Sequence, residues 1–231
     1  MMTYFALREP FSAWSHVLWL ILSLPATVIL WRRCHGDVSK QLSFLVFGLS
    51  LTACYLGSAL YHGVHVKEDR IGLFDRLDHV GIHLLIAGSY TPIAWNLLRG
   101  PWRWGTLAAV WSTTLVASGL LLANIRLSRP LETCEFLALG WLSLFCYYEL
   151  ARTHSIRSLS PLVFGGVFYS IGALLNLLHW PVIWPGVVGS HEVFHLWVMA
   201  GSFAHYWFMI TVVVPFACES RSAPPRKLTP A

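Results

Sequence analysis

Seven stretches of about 20 mostly apolar residues limit what this chain can fold into. They run roughly over residues 13–31, 42–64, 79–98, 104–123, 131–150, 162–179 and 192–216. Runs of that length cross hydrocarbon as helices, because a helix satisfies its own backbone hydrogen bonds where no water is available. Between them lie turn and charge signals such as "RRCHGDVSK", "HVKEDRIGLFDR", "RGPWR" and "ARTHSIRSLSP". With 56% hydrophobic and 12% charged residues, the chain lacks the polar surface that a soluble helical bundle would need. The expected architecture is an all-α integral membrane protein, a seven-transmembrane helix bundle over residues 1–217. A polar, proline-bearing tail, 218–231, is expected to be disordered.

Charge and cysteine content narrow the function classes. The net charge is +5, but the arginines fall in short connections between apolar runs. That pattern speaks for topology and headgroup contact, not for nucleic-acid binding. The connections on the N-terminal side carry six basic residues and those on the other side ten, which by the positive-inside rule favours a cytoplasmic C-terminus. The first apolar run lacks a basic leader and reads as a retained span. Cys34, Cys54, Cys134, Cys146 and Cys218 form no CxxC pair, so neither a disulfide framework nor a thiolate zinc site is expected.

The chemistry is concentrated in polar residues placed inside apolar runs. Ionisable groups are costly at bilayer depth and mark functional sites there. His191, Glu192 and His195 spell HExxH, a pattern shared with zinc metalloproteases. Alternating spans bring His62, Asp78, His191 and His195 to one leaflet, with Glu9 and His16 arriving from the first span. His191 and His195, four residues apart, project from one helix face and can reach one ion. With His62 they make three imidazoles, the donor set of an open zinc site, and Asp78 can orient a water or take its proton. Ser58 shares the His62 face and can donate a hydrogen bond. His79 and His83 form a second pair of the same spacing and compete for the metal role. His205 lies nearly three turns beyond His191, too deep for the same ion, and is expected to be a buried hydrogen-bonding residue. Any one of these histidines alone would read as polar glue between helices.

Four blocks carry a wider resemblance: "REPFSAWSH" (Arg8–His16), "GSALYH" (Gly57–His62), "RLDHVGIHLLIAGSYTP" (Arg76–Pro92) and "HEVFHLWVMAGSFAH" (His191–His205). In this order the chain closely resembles the hemolysin III family, the bacterial branch of the progestin and adipoQ receptor superfamily that includes the adiponectin receptors. The resemblance implies an intramembrane zinc site held by His62, His191 and His195. It also implies Ser58 before the first ligand and Asp78 as the carboxylate associated with water at the metal. Glu9 and His16 match the first block, and His79 becomes a neighbour of the ligands at most. Glu192 cannot be assumed to be a general base, since receptor relatives can carry glutamine there. The implied topology puts the N-terminus in the cytosol, against the charge count, and the implied location is the bacterial inner membrane.

Three functions follow as expectations. The first is a zinc-dependent hydrolase of a lipid amide or ester, ceramidase-like, with a lipid substrate in the bundle cavity. The second is a membrane-stress receptor or pore-forming cytolysin in which zinc is structural. The third is an HExxH intramembrane protease, which nothing else in the sequence supports.

Overall fold

Pro10 begins the first helix, α1 (Pro10–Arg33), where a missing N–H costs no hydrogen bond. Helices α4 (Gly100–Leu122) and α5 (Arg129–Trp141) also have proline in their first turn. Asp37 caps α2 (Val38–Gly63) by accepting from the Lys40 N–H, and Ser155 caps α7 (Ile156–Leu177) by accepting from the Ser158 N–H. The remaining helices are α3 (Glu68–Leu97), α6 (Ser143–Ala151) and α8 (Ser190–Phe208), the last continued by a π turn, Met209–Val213. This computed structural model describes residues 7–216, apart from the Asp69 side chain. The expected tail and Cys218 lie outside the described residues.

Among the described residues, five helices are long and apolar enough to cross a membrane: α1, α2, α4, α7 and α8 with its continuation. The third and fifth windows differ from expectation for separate reasons. The helix over the third window starts eleven residues early, at Glu68, and carries Asp75, Arg76, Asp78 and His79 before its apolar part. The fifth window is broken at Leu142 into α5 and α6, of 13 and 9 residues, each too short to span alone. Gly140 weakens the helix at the break, and the Tyr90 hydroxyl of α3 donates to the Leu139 and Gly140 carbonyls at 3.0 and 2.7 Å. A side chain that takes carbonyls out of the helical ladder is an ordinary cause of such a kink.

Burial separates inner helices from outer ones. About half of the apolar window of α2 (56%) and of α8 (50%) is covered by protein, against 22% for α1, α4 and α7. The outer helices show Trp14, Leu18, Ile21, Leu115 and Val116 on the molecular surface, an apolar face suited to lipid. The two inner helices are the ones that bear His62, His191 and His195. α2 packs between α1 and α3, and α8 packs on α7 and α1.

The α2–α3 contact is unusually close. A Cβ on Gly81 would lie 2.7 Å from the Cys54 Cα, and one on Gly57 would lie 2.9 Å from the Leu77 carbonyl oxygen. Small residues let membrane helices approach backbone to backbone. Here they do so one residue from Ser58 and beside Asp78.

Candidate metal centre

Three imidazoles meet where α2 ends and α8 begins. One nitrogen each from His62, His191 and His195 lies within 4.8 Å of the others. His62 and His195 are buried, at 0% and 3% exposure. His62 Nε2 and His191 Nε2 are 3.4 Å apart. Two nitrogens each about 2.0–2.1 Å from one tetrahedral zinc ion sit roughly 3.3–3.4 Å apart, so this spacing fits shared coordination. His195 Nδ1 is buried without a hydrogen-bond partner, which is costly unless some bound group satisfies the ring. The donor set therefore fits a divalent metal such as zinc.

The tautomer of His62 is set from outside the ring cluster. Glu9, just before α1, places Oε2 2.5 Å from His62 Nδ1, while its backbone N–H donates to the His62 carbonyl at 2.9 Å. The His62 hydrogen bond holds the Glu9 carboxyl below its ordinary range, against the opposing effect of burial. An ionised carboxylate accepts, so Nδ1 carries the hydrogen and Nε2 presents its lone pair to the cluster. Carboxylates in this position orient metal-bound histidines and raise their basicity. Glu9→Gln is therefore expected to weaken metal affinity by about 10–100-fold, read by competition with a chelator of known affinity. An unchanged affinity would remove Glu9 from this role.

The other expected site residues are placed as follows. Asp78 is buried, at 8% exposure, outside the group of three histidine nitrogens and facing the Ser58 hydroxyl. His16 is buried edge-on against His195, ring centroids 4.3 Å apart, with neither ring nitrogen hydrogen-bonded. Glu192 faces away from any attacking role: it accepts from the Gly189 N–H at 2.9 Å and from Ser12 Oγ at 3.0 Å. Its carboxylate thus caps α8 and ties it to α1. His79, expected beside the ligands, instead faces Asp75, Arg129 and Glu132, with Arg129 Nη1 2.5 Å from its Nε2. His83 joins that second cluster through Glu135. His205 is apart from the ligands, its ring against Gly165 and Tyr169. Its ring nitrogens are buried, as expected, with the Leu162 backbone as a polar neighbour.

Residues that sequence reasoning missed complete the setting. Tyr55 on α2 donates to Ser202 Oγ on α8 at 2.6 Å, and Tyr169 of α7 reaches the same oxygen at 2.9 Å. The Tyr55 ring is fully buried, its centroid 5.8 Å from that of His16. These hydroxyls tie together the two helices that carry the three histidines; a tyrosine in an apolar run gives no sequence signal of such a partner. Ser12, whose hydroxyl donates to Glu192, likewise carries no sequence signal of that task.

Fold and site together define a polytopic helical membrane protein with a buried histidine centre able to hold a metal. The chain belongs to the haemolysin-III related family, whose model matches residues 4–206. It is 35% identical to Hemolysin-3 of Bacillus cereus, over 94% of this chain and 96% of the relative. It is 30% identical to the Hemolysin-3 homolog of Bacillus subtilis (strain 168), over 92% and 99%. It is 28% identical to the adiponectin receptor protein of Drosophila melanogaster, over 86% of this chain and 49% of that longer protein. Its family and its apolar helices make it a multi-pass membrane protein, and the Bacillus relatives place it in the bacterial plasma membrane.

Proposed function

We propose that this protein is a seven-span, zinc-dependent hydrolase of a lipid amide or ester, with His62, His191 and His195 as the ligands. The observation that carries the reading is a three-imidazole donor set with a separate buried carboxylate, Asp78, beside it. A purely structural site is closed by a fourth protein ligand, whereas a catalytic one keeps a position open. Among the described residues no fourth ligand atom joins the three. α3 and the broken α5–α6 pair would supply the two spans beyond the five apolar helices.

Bound there, zinc supplies a Lewis acid that polarises a carbonyl. The chain's own groups divide the remaining work. Glu9 orients His62, Asp78 takes or returns the proton of an attacking water, and Ser58 holds the Asp78 carboxylate in place by hydrogen bonding. Burial between α2 and α8 keeps bulk water from the site, and the surrounding bilayer selects an amphiphilic substrate. Glu192 is not assigned as base, because one of its oxygens caps α8 through the Gly189 N–H and the other accepts from Ser12 of α1.

The test separates metal from proton transfer. Asp78→Asn is expected to retain zinc while hydrolysis of a fluorescent long-chain N-acyl lipid, in detergent micelles, falls by about 10²–10⁴-fold. Full turnover in zinc-free wild type, or in Asp78→Asn, would sink the hydrolase reading. A second reading has zinc stapling α2 to α8 in a cytolysin, supported by the name Hemolysin-3 of the Bacillus cereus relative. Leakage of dye-loaded liposomes that survives loss of the histidine ligands would favour it.

A further inference from the structure

The twelve residues 178–189, which join α7 to α8, form the longest connection between spans and contain no Asp, Glu, Lys or Arg. Every other connection between spans carries charge, in Asp37, Lys67, Arg99, Arg126 or Arg152. This segment instead presents Leu178, Trp180, Val182, Ile183, Trp184 and Val187, each 48–66% exposed. The apolar surface also continues past the helix end. Leu174 and Leu177 of α7 are exposed beside it, so the connection extends a face that already suits lipid.

A segment can lie in a poorly hydrated layer only if its backbone polar groups are satisfied. Among the nine residues Trp180–Val188, five donate their N–H to a backbone carbonyl. Trp180 donates to Leu175, Ile183 and Trp184 to Val188, and Val187 and Val188 to Trp184, at 2.8–3.1 Å. Pro181 and Pro185 have no N–H to satisfy. Gly186, at φ 77°, lets the chain fold back on itself. Only the Val182 and Gly186 N–H groups remain for outside acceptors. That is too many for the centre of a bilayer but suits its boundary, where ester and headgroup oxygens accept.

The tryptophans favour the same layer. Trp95, Trp111 and Trp141 donate their ring N–H to protein hydroxyls, whereas Trp180 and Trp184 have no acceptor within the protein. An indole combines a large apolar body with one donor, which fits the depth where acyl chains meet headgroups.

We propose that the α7–α8 connection is a lipid-binding wedge, seated in the headgroup–acyl boundary of the leaflet nearest the histidine centre and anchored by Trp180 and Trp184. Its partner is lipid of any headgroup charge, because the segment has no Asp, Glu, Lys or Arg with which to select one. Glu192 holds the end of the wedge by accepting from the Gly189 N–H at 2.9 Å, and His191 follows two residues later. The depth of the wedge therefore sets the depth of the α8 end of the histidine centre. This lipid surface does not depend on the centre being hydrolytic.

The experiment places the full chain in phosphatidylcholine vesicles with one environment-sensitive fluorophore on Ile183→Cys. The comparison is Lys67→Cys, in the charged α2–α3 connection at the same end of the bundle. Both carry Cys134→Ser and Cys218→Ser, while Cys34, Cys54 and Cys146 are buried and stay unlabelled in the folded protein. A segment of this kind sits about 5–10 Å into the boundary. Spin-labelled lipid should therefore quench the Ile183 probe, more strongly with the label high on the acyl chain than deep in it. Aqueous iodide should quench that probe several-fold less than the Lys67 probe. Adding phosphatidylglycerol or raising the salt should leave lipid quenching unchanged, since no charge attraction holds the segment. Trp180→Glu combined with Trp184→Glu should move the Ile183 probe into water. Both side chains are largely exposed, so the fold does not rest on them. Should that variant fail to fold, the comparison of Ile183 with Lys67 decides alone. Equal iodide quenching at the two positions would overturn the proposal by putting the connection in water. Shielding of the Ile183 probe from both quenchers would overturn it by placing a protein partner or a second copy there. Lipid quenching that survives both tryptophan substitutions would overturn it as well, by removing the anchors.

Discussion

His191→Ala is expected to reduce bound zinc from about one per chain to near zero, since two imidazoles hold the ion far more weakly than three. The same substitution should uncouple stability from metal. In wild type, added zinc stabilises the folded state by mass action, by about 4 kcal/mol at a free concentration a thousand times the dissociation constant. The unfolding midpoint of His191→Ala should not move over that range. His191 is the substitution of choice because His62 and His195 are more deeply buried and their loss would leave larger cavities. Elemental analysis of detergent-purified protein, paired with thermal unfolding at several zinc concentrations, reads both effects. Zinc retained by His191→Ala at the wild-type level would show that the three histidines do not form the centre.

The histidine centre was legible in the sequence because two rules of different range agreed. The i, i+4 spacing put His191 and His195 on one face, and counting spans brought His62 to the same leaflet. Both rules depend only on helix geometry and the direction of the chain. Glu192 shows where local spacing stops being informative. The same three-residue offset that places a base next to zinc in HExxH also places a carboxylate on the N-cap amide in a capping box. Only the position of Gly189 at the end of α8 separates the two. Glu9 was singled out without a role, because its bond to His62 depends on how the residues just before α1 cross the end of α2.

The second histidine pair teaches a related lesson. His79 and His83 carry the same spacing as His191 and His195, yet they face α5, whose Glu132 and Glu135 reach them from a helix that sequence treated as featureless. What decided their role was the partner helix, and no periodicity within α3 contains that information. The break at Leu142 was hidden for the same reason. Its cause is the Tyr90 hydroxyl, 50 residues away in the chain from Gly140. The third window, expected as a span, lies almost wholly within α3, whose polar start at Glu68 exceeds what an apolar count can delimit.

Gly57→Ala is expected to damage proton transfer while leaving the metal in place. An added Cβ would meet the Leu77 carbonyl oxygen at 2.9 Å and the Asp78 Cα at 3.3 Å. Both are backbone atoms, so no side-chain rotation relieves the contact, and α3 must move away from α2. Overpacking of this kind costs about 1–3 kcal/mol. The consequence for function follows from which helix carries which group. The three histidines are on α2 and α8, whereas Asp78 is on α3, so a shift of α3 displaces the carboxylate without parting the imidazoles. Turnover should therefore fall at least about tenfold, since misplacement of a reacting group by about 1 Å can cost 10²-fold, while zinc content stays at the wild-type level. Gly81→Ala, which drives a Cβ to 2.7 Å from the Cys54 Cα, should lower the unfolding midpoint further. Its effect on turnover should follow the same split, because it opens the same pair of helices. If either alanine variant lost zinc in proportion to turnover, α3 would have to be holding the metal centre together. If Gly57→Ala kept full turnover with a lowered midpoint, Asp78 would not need the position that the α2–α3 contact gives it.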